Sequence, residues 1–103
     1  MKKVLEIVNK YLKEISREIR VEEAYLFGSS ARGERLETSD VDLLIISSDV
    51  EGLTLDERIH IAYKHWPYDV SGDIILLSPK EYEKLRRRSI VLRDAERYWI
   101  KIV

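Results

Sequence analysis

The chain has no cysteine, so a disulfide or a cysteine-ligated zinc is excluded. It has one methionine, two prolines and four glycines. No flexible linker, low-complexity tract or internal repeat stands out. Nowhere is there an apolar run long enough to span a bilayer, nor a signal-peptide pattern, and a cytoplasmic location is expected. Neither sign of charge prevails: 18 Lys and Arg against 19 Asp and Glu leave a net charge of −1, although charged residues make up 36% of the chain. That balance provides no strong field for nucleic acid or membrane. Dense mixed charge without cysteine also fits a thermophile composition. At 103 residues the expectation is one domain, spanning 1–103, with a modest core.

What is present is patterned. Val4, Val8, Tyr11, Ile15 and Ile19, joined by Ile7 and Leu12, recur at helical spacing and predict an amphipathic helix over Lys2 to Arg20 that covers a sheet. Ala24 to Phe27 is a short apolar run that reads as a buried strand. Leu43 to Ile46 continues a strand from Val41 and is apolar throughout, as expected for a central strand covered on both faces. It breaks at Ser47-Ser48-Asp49, where Asp49 is expected to be solvated.

A second helix is predicted over Thr54 to His65. Thr54 and Glu57 form a capping box, and Leu55, Ile59 and Ala62 or Tyr63 are expected to face inward. Pro67 ends that element. Ile74 to Leu77 reads as a further strand starting at Asp73, with Ser71-Gly72 as a bulge or turn. Ser78-Pro79-Lys80-Glu81 is a helix start, with Tyr82 and Leu85 turned inward and Arg86-Arg87-Arg88 at the solvated end. Ile90 to Glu96 can extend that helix, and Tyr98 to Val103 suits an edge strand protected by Lys101. The fold class is α/β (α+β): a small mixed sheet of about four strands with helices packed on it.

One stretch carries chemistry. Phe27-Gly28-Ser29 ends a strand in a turn, and Asp40-Val41-Asp42 opens the next strand with two carboxylates. Side chains two apart on a strand leave the same face. Two anions that close repel by roughly 4 kcal/mol at an effective dielectric of about 20, a cost that a divalent cation between them removes. Magnesium suits oxygen ligands and leaves room for water and phosphate. Gly28 lets backbone approach a phosphate, and Ser29 offers a hydroxyl and an N–H. An ordinary Gly-Ser turn is the bland alternative. Arg32 can neutralise a triphosphate or pair with Glu34 or Glu37, and Arg35 is a weaker candidate. Thr38 and Ser39 can orient the carboxylates. His60 and His65, five apart, do not share a helix face and make a poor metal pair.

Gly28-Ser29-Ser30-Ala31-Arg32-Gly33-Glu34, followed by Ser39-Asp40-Val41-Asp42-Leu43-Leu44, resembles the signature of the polymerase-beta-like nucleotidyltransferases. The likeness is greatest to the minimal nucleotidyltransferases, antitoxins that pair with helical HEPN-domain partners. Ser30 stands where many members carry arginine. The resemblance implies Mg2+ as cofactor, held by Asp40, Asp42 and a third acid at a strand start. Asp73 fits that position and Asp69 competes with it. It implies Gly28, Ser29 and Arg32 as nucleotide contacts, and transfer of a nucleoside monophosphate, from ATP by expectation, to a hydroxyl acceptor. A tyrosine of a HEPN-domain toxin is the acceptor it suggests.

Other classes fit less well. A P-loop needs lysine after the second glycine, where Glu34 stands, and sugar transferases with Asp-x-Asp need a longer chain. Two further functions stay open: a non-catalytic nucleotide-binding module that neutralises its partner by contact, and RNA-end modification suggested by the arginine run. Assembly with itself or with a partner is left open as well.

Overall fold

A computed structural model describes residues 2–27, 41–88 and 100–103. In chain order these form α1 (Lys2–Ile15), β1 (Glu23–Phe27), β2 (Val41–Ile46), a 3-10 turn (Ser48–Val50), α2 (Leu55–Lys64), β3 (Gly72–Leu77), α3 (Pro79–Arg88) and β4 (Ile100–Lys101). The strands make one mixed sheet in the order β3-β2-β1-β4. β1 runs antiparallel to β2 and β4, whereas β2 and β3 are parallel and joined through α2. This is the mixed α/β architecture, with a four-stranded sheet, that the sequence predicts.

The helical stripe on α1 finds the sheet as expected. Val4, Val8, Tyr11, Leu12, Ile15 and Ile19 are all buried. They pack with Ala24 and Leu26 of β1, with Val41, Leu43 and Ile45 of β2, and with Ile74 and Leu76 of β3. Full burial of each large aliphatic side chain contributes about 1.5–3 kcal/mol, so this layer dominates the stability. β2 is covered on both faces, because Leu44 and Ile46 on the opposite side are also buried. Tyr11 adds a polar tie: its hydroxyl donates to the Ala62 carbonyl at 2.7 Å, its ring meets Trp66 edge-on with centroids 5.0 Å apart, and burial pushes its phenol pKa up.

Three expectations need correction. α1 stops at Ile15 rather than running to Arg20. The Ser16 hydroxyl donates to the Leu12 carbonyl, and Arg17 and Glu18 then bond three residues back, so the chain tightens out of α-helix. Ile19 still reaches the core. α2 begins at the predicted capping box, with Thr54 and Glu57 bonded reciprocally. Its inward side, however, carries Arg58, Ile61, Ala62 and His65, whereas Leu55 (72% exposed), Ile59 and Tyr63 lie outside. Two stripes of this helix are apolar, and the one with small Ala62 packs closely under Tyr11. On α3, Tyr82 is half-buried and lines a groove of about 530 Å³ with Tyr25, Ile46, Arg86 and Lys101 among others, whereas Leu85 is exposed and does not line it.

Arg58 joins four elements. Its five N–H groups donate to the carbonyls of Leu53, Val50 and Leu76 at 3.2, 2.9 and 3.2 Å, and bidentately to Glu81 at 2.7 and 2.8 Å. Glu81 also accepts from the Ser78 N–H, closing the predicted helix start of α3. The Arg58 guanidinium, with help from Ser78, lowers the Glu81 carboxyl pKa to about 2 from 4.5. A carboxyl held below its unfolded value stabilises the fold above pH 4.5, and that contribution disappears as pH falls from about 4.5 towards 2. Since the side chain is 38% exposed, the expected loss is about 1–2 kcal/mol. Thermal melts from pH 6 to pH 2 should show this loss in the native chain and a smaller one in Glu81→Gln.

Asp49 is exposed as expected, yet its carboxylate accepts from the Arg20 N–H at 2.8 Å. At the far edge, β4 covers two residues of the predicted strand. Residues 89–99, including the expected helix extension from Ile90 to Glu96 and the aromatic pair Tyr98-Trp99, lie outside the described residues.

Candidate active site

The site is set by strand register. β1 ends at Phe27, which lies opposite Asp42 in β2, and Asp42 lies opposite Asp73 in β3. Directly paired residues share a face, so Phe27, Asp42 and Asp73 form one row across three strands. The row crosses the N-terminal ends of the two parallel strands, on the face opposite α1. Asp42 is half-buried and Asp73 is exposed. Neighbouring strands are about 4.8 Å apart, so the two acidic residues begin from backbones in direct contact.

Gly28, Ser29, Arg32 and Asp40 lie outside the described residues, as do Arg35, Thr38 and Ser39. Residues 28–40 join the end of β1 to the start of β2, and both of these ends flank the acidic row. Asp69 lies in the exposed turn between α2 and β3, away from any strand pairing. Among the described residues no group of three or more His, Cys, Asp or Glu is arranged to hold a metal. Asp42 and Asp73 supply two hard oxygen donors on one solvent-accessible face, a donor set that fits Mg2+ with water and phosphate completing the shell. His65 turns instead to Glu18, its Nε2 lying 2.5 Å from the carboxylate, which is also held by Lys64 at 3.1 Å.

Asp73 is carried by a strand start that several side chains fix. Gly72 pairs with Val41 in continuous register, so the expected bulge or turn at Ser71-Gly72 is absent. Its glycine has a packing reason. A Cβ at that position would come within 2.8 Å of Cζ2 of Trp66, whose Nε1 donates to the Val70 carbonyl at 2.8 Å. On the outer edge of β3, the Tyr63 hydroxyl donates to the Gly72 carbonyl at 3.1 Å and accepts from the Ile74 N–H at 3.0 Å. Sequence reasoning missed Tyr63, Trp66 and Arg58. Only the glycine before the acid hinted that another group approaches there.

The Arg86-Arg87-Arg88 run is exposed at the end of α3, and Arg87 pairs with Glu83 at 3.3 Å, as expected of a solvated helix end. No helix of the described residues is long and apolar enough to cross a membrane.

Comparison with known proteins addresses the family and the fold. Over 101 residues the chain is 34% identical to a Methanocaldococcus jannaschii protein, MJ0141, provisionally named a protein adenylyltransferase; the match spans 96% of this chain and 98% of that protein. A second protein of that organism with the same provisional name, MJ1215, is 40% identical over 45 residues, 44% of this chain and 52% of its own length. A crystal structure provisionally described as a nucleotidyltransferase, from Sulfolobus solfataricus, superposes with a TM-score of 0.67 at 26% identity, covering 80% of this chain and 73% of that one. The family model for the nucleotidyltransferase domain matches residues 5–98, nearly the whole sequence, and the chain therefore belongs to the nucleotidyltransferase family.

Proposed function

We propose that the chain transfers the adenylyl group of ATP to a hydroxyl of a protein acceptor, with Mg2+ as cofactor. The observation that carries this reading is the pairing of Asp42 with Asp73 on adjacent parallel strands, beside the end of β1. The full-length relative provisionally named a protein adenylyltransferase supports adenylyl as the group transferred.

Bound Mg2+ would supply charge neutralisation at the phosphates and the leaving oxygen. Asp42 and Asp73, with Asp40 preceding β2, would hold it. Gly28, Ser29 and Arg32 follow β1 in sequence and are assigned to the phosphate tail. The acceptor oxygen forms a bond to the α-phosphorus, the bond from that phosphorus to the α–β bridging oxygen breaks, and pyrophosphate leaves. To Asp73, the more exposed acid, we assign the uptake of the acceptor proton. The protein's part is positioning and electrostatics, as in other phosphoryl transfers.

The acceptor we assign is a tyrosine hydroxyl of a HEPN-domain toxin, which makes this chain its antitoxin. The test incubates the pure chain with ATP labelled at the α-phosphate, Mg2+ and the protein encoded by the neighbouring gene, a HEPN-domain protein on this reading. Label on a tyrosine of that protein is the expected result. Label on a different protein overturns the partner, and no Mg2+-dependent transfer to any acceptor overturns the activity.

A further inference from the structure

Parallel pairing gives β3 two kinds of residue. The Val41 N–H bonds the Ser71 carbonyl and the Ser47 N–H bonds the Leu77 carbonyl, so the odd-numbered residues of this strand turn their own N–H and C=O towards β2. Gly72, Ile74 and Leu76 turn theirs outward, off the edge of the sheet. The carbonyl before Asp73 and the N–H after it therefore point away from β2, and both end on one atom, the Tyr63 hydroxyl. This oxygen does what a neighbouring strand would do: it donates to the carbonyl before the acid and accepts from the N–H after it.

We propose that Tyr63 is a positioning residue for the third carboxylate, its hydroxyl fixing the peptide planes that flank Asp73 so that the acid keeps its register opposite Asp42. The inference rests on the reading of Asp42 and Asp73 as metal-holding acids, and extends it to a residue on another element that touches neither metal nor nucleotide. Three observations converge on this short segment. β2 holds Asp73 from the inside, the Trp66 ring packs against Gly72, and Tyr63 closes the outer edge. β2 takes the inward-facing half of each peptide plane flanking Asp73, and Trp66 restrains position. Tyr63 bonds the outward-facing half of the same two planes, the half that an edge strand otherwise leaves to solvent. Tyr63 is 39% exposed and contributes little to the core, so its hydroxyl is separable from packing.

The test reads metal affinity rather than turnover. Mn2+ binding is followed by the loss of its free EPR signal, with a non-hydrolysable α,β-methylene analogue of ATP present. Tyr63→Phe, which keeps the ring and removes one oxygen, is expected to weaken Mn2+ binding by about three- to tenfold, the size of one lost hydrogen bond. In an Asp73→Asn background the same change should have no further effect. Ile59→Ala, on the same exposed stripe of α2, should bind as the native chain does. Unchanged affinity in Tyr63→Phe overturns the proposal, and so does an equal loss in both backgrounds, which marks a general structural role. Native-like binding by Asp42→Asn overturns instead the metal-site reading beneath it. A second measurement needs no variant: the Ile74 amide, although on the outer edge, must exchange slowly with solvent, and rapid exchange there also overturns the proposal.

Discussion

Asp42→Asn should reduce nucleotidyl transfer by about a thousandfold or more, equivalent to about 4 kcal/mol of transition-state stabilisation. The substitution changes one oxygen to nitrogen and leaves the β2 backbone pairing to Phe27 and Asp73 untouched, so melting temperature should shift little. Asparagine removes the negative charge facing the cation while keeping the shape, and a neutral amide is a poor replacement ligand for Mg2+. The measurement is single-turnover label transfer with a parallel thermal melt. Partner inhibition separates the two broad functions. A catalytic antitoxin should lose inhibition while still binding its partner, whereas a protein that acts by contact should keep both. Full transfer by Asp42→Asn would remove the acidic row from the mechanism.

The second large effect concerns stability. Arg58→Ala should destabilise the fold by about 3–5 kcal/mol, because it strips Glu81 of its charged partner and leaves three carbonyls without the donor they share. For a chain of this size that corresponds to a fall in Tm of more than about 12 °C. Arg58→Lys should recover less than half: a single ammonium cannot reach a carboxylate bidentately and three carbonyls at once. The contrast is Arg87→Ala, whose partner Glu83 lies on an exposed helix face, and which should cost under about 0.5 kcal/mol. Thermal or urea unfolding of the three variants checks the ranking. A small effect at Arg58 would mean that the junction of the 3-10 turn, α2, β3 and α3 is held by packing alone.

Local signals in the sequence proved readable where the determinant is local. The α1 stripe identified its buried residues, and the Thr54–Glu57 and Ser78–Glu81 pairs marked two helix starts because their bonds span only three residues. The end of α1 was hidden because a single serine hydroxyl competes for the Leu12 carbonyl. The facing of α2 was hidden because Leu55, Ile59 and Tyr63 form as good an apolar stripe as the one that is buried. Arg58 reads as one more surface cation until three distant carbonyls converge on it.

The site divides in the same way. Apolar runs indicated that Asp42 and Asp73 each lie at a strand start, but register between strands 31 residues apart in sequence is a tertiary fact, and only the structure sets one acid opposite the other. Asp69, its competitor in the sequence, lies in a turn outside the strand pairing. The role of Gly72 was misread as a bulge or turn because nothing in the sequence reveals where the Trp66 ring comes to rest.

The outer margin of β3 has one more consequence. Tyr63 occupies the carbonyl of Gly72 and the N–H of Ile74, and Arg58 takes the carbonyl of Leu76. Helix side chains thus hold three of the backbone groups through which an extended peptide would lengthen the sheet. Recruitment of a fifth strand on that flank, whether from a ligand or from an aggregating copy, would first have to unseat both residues.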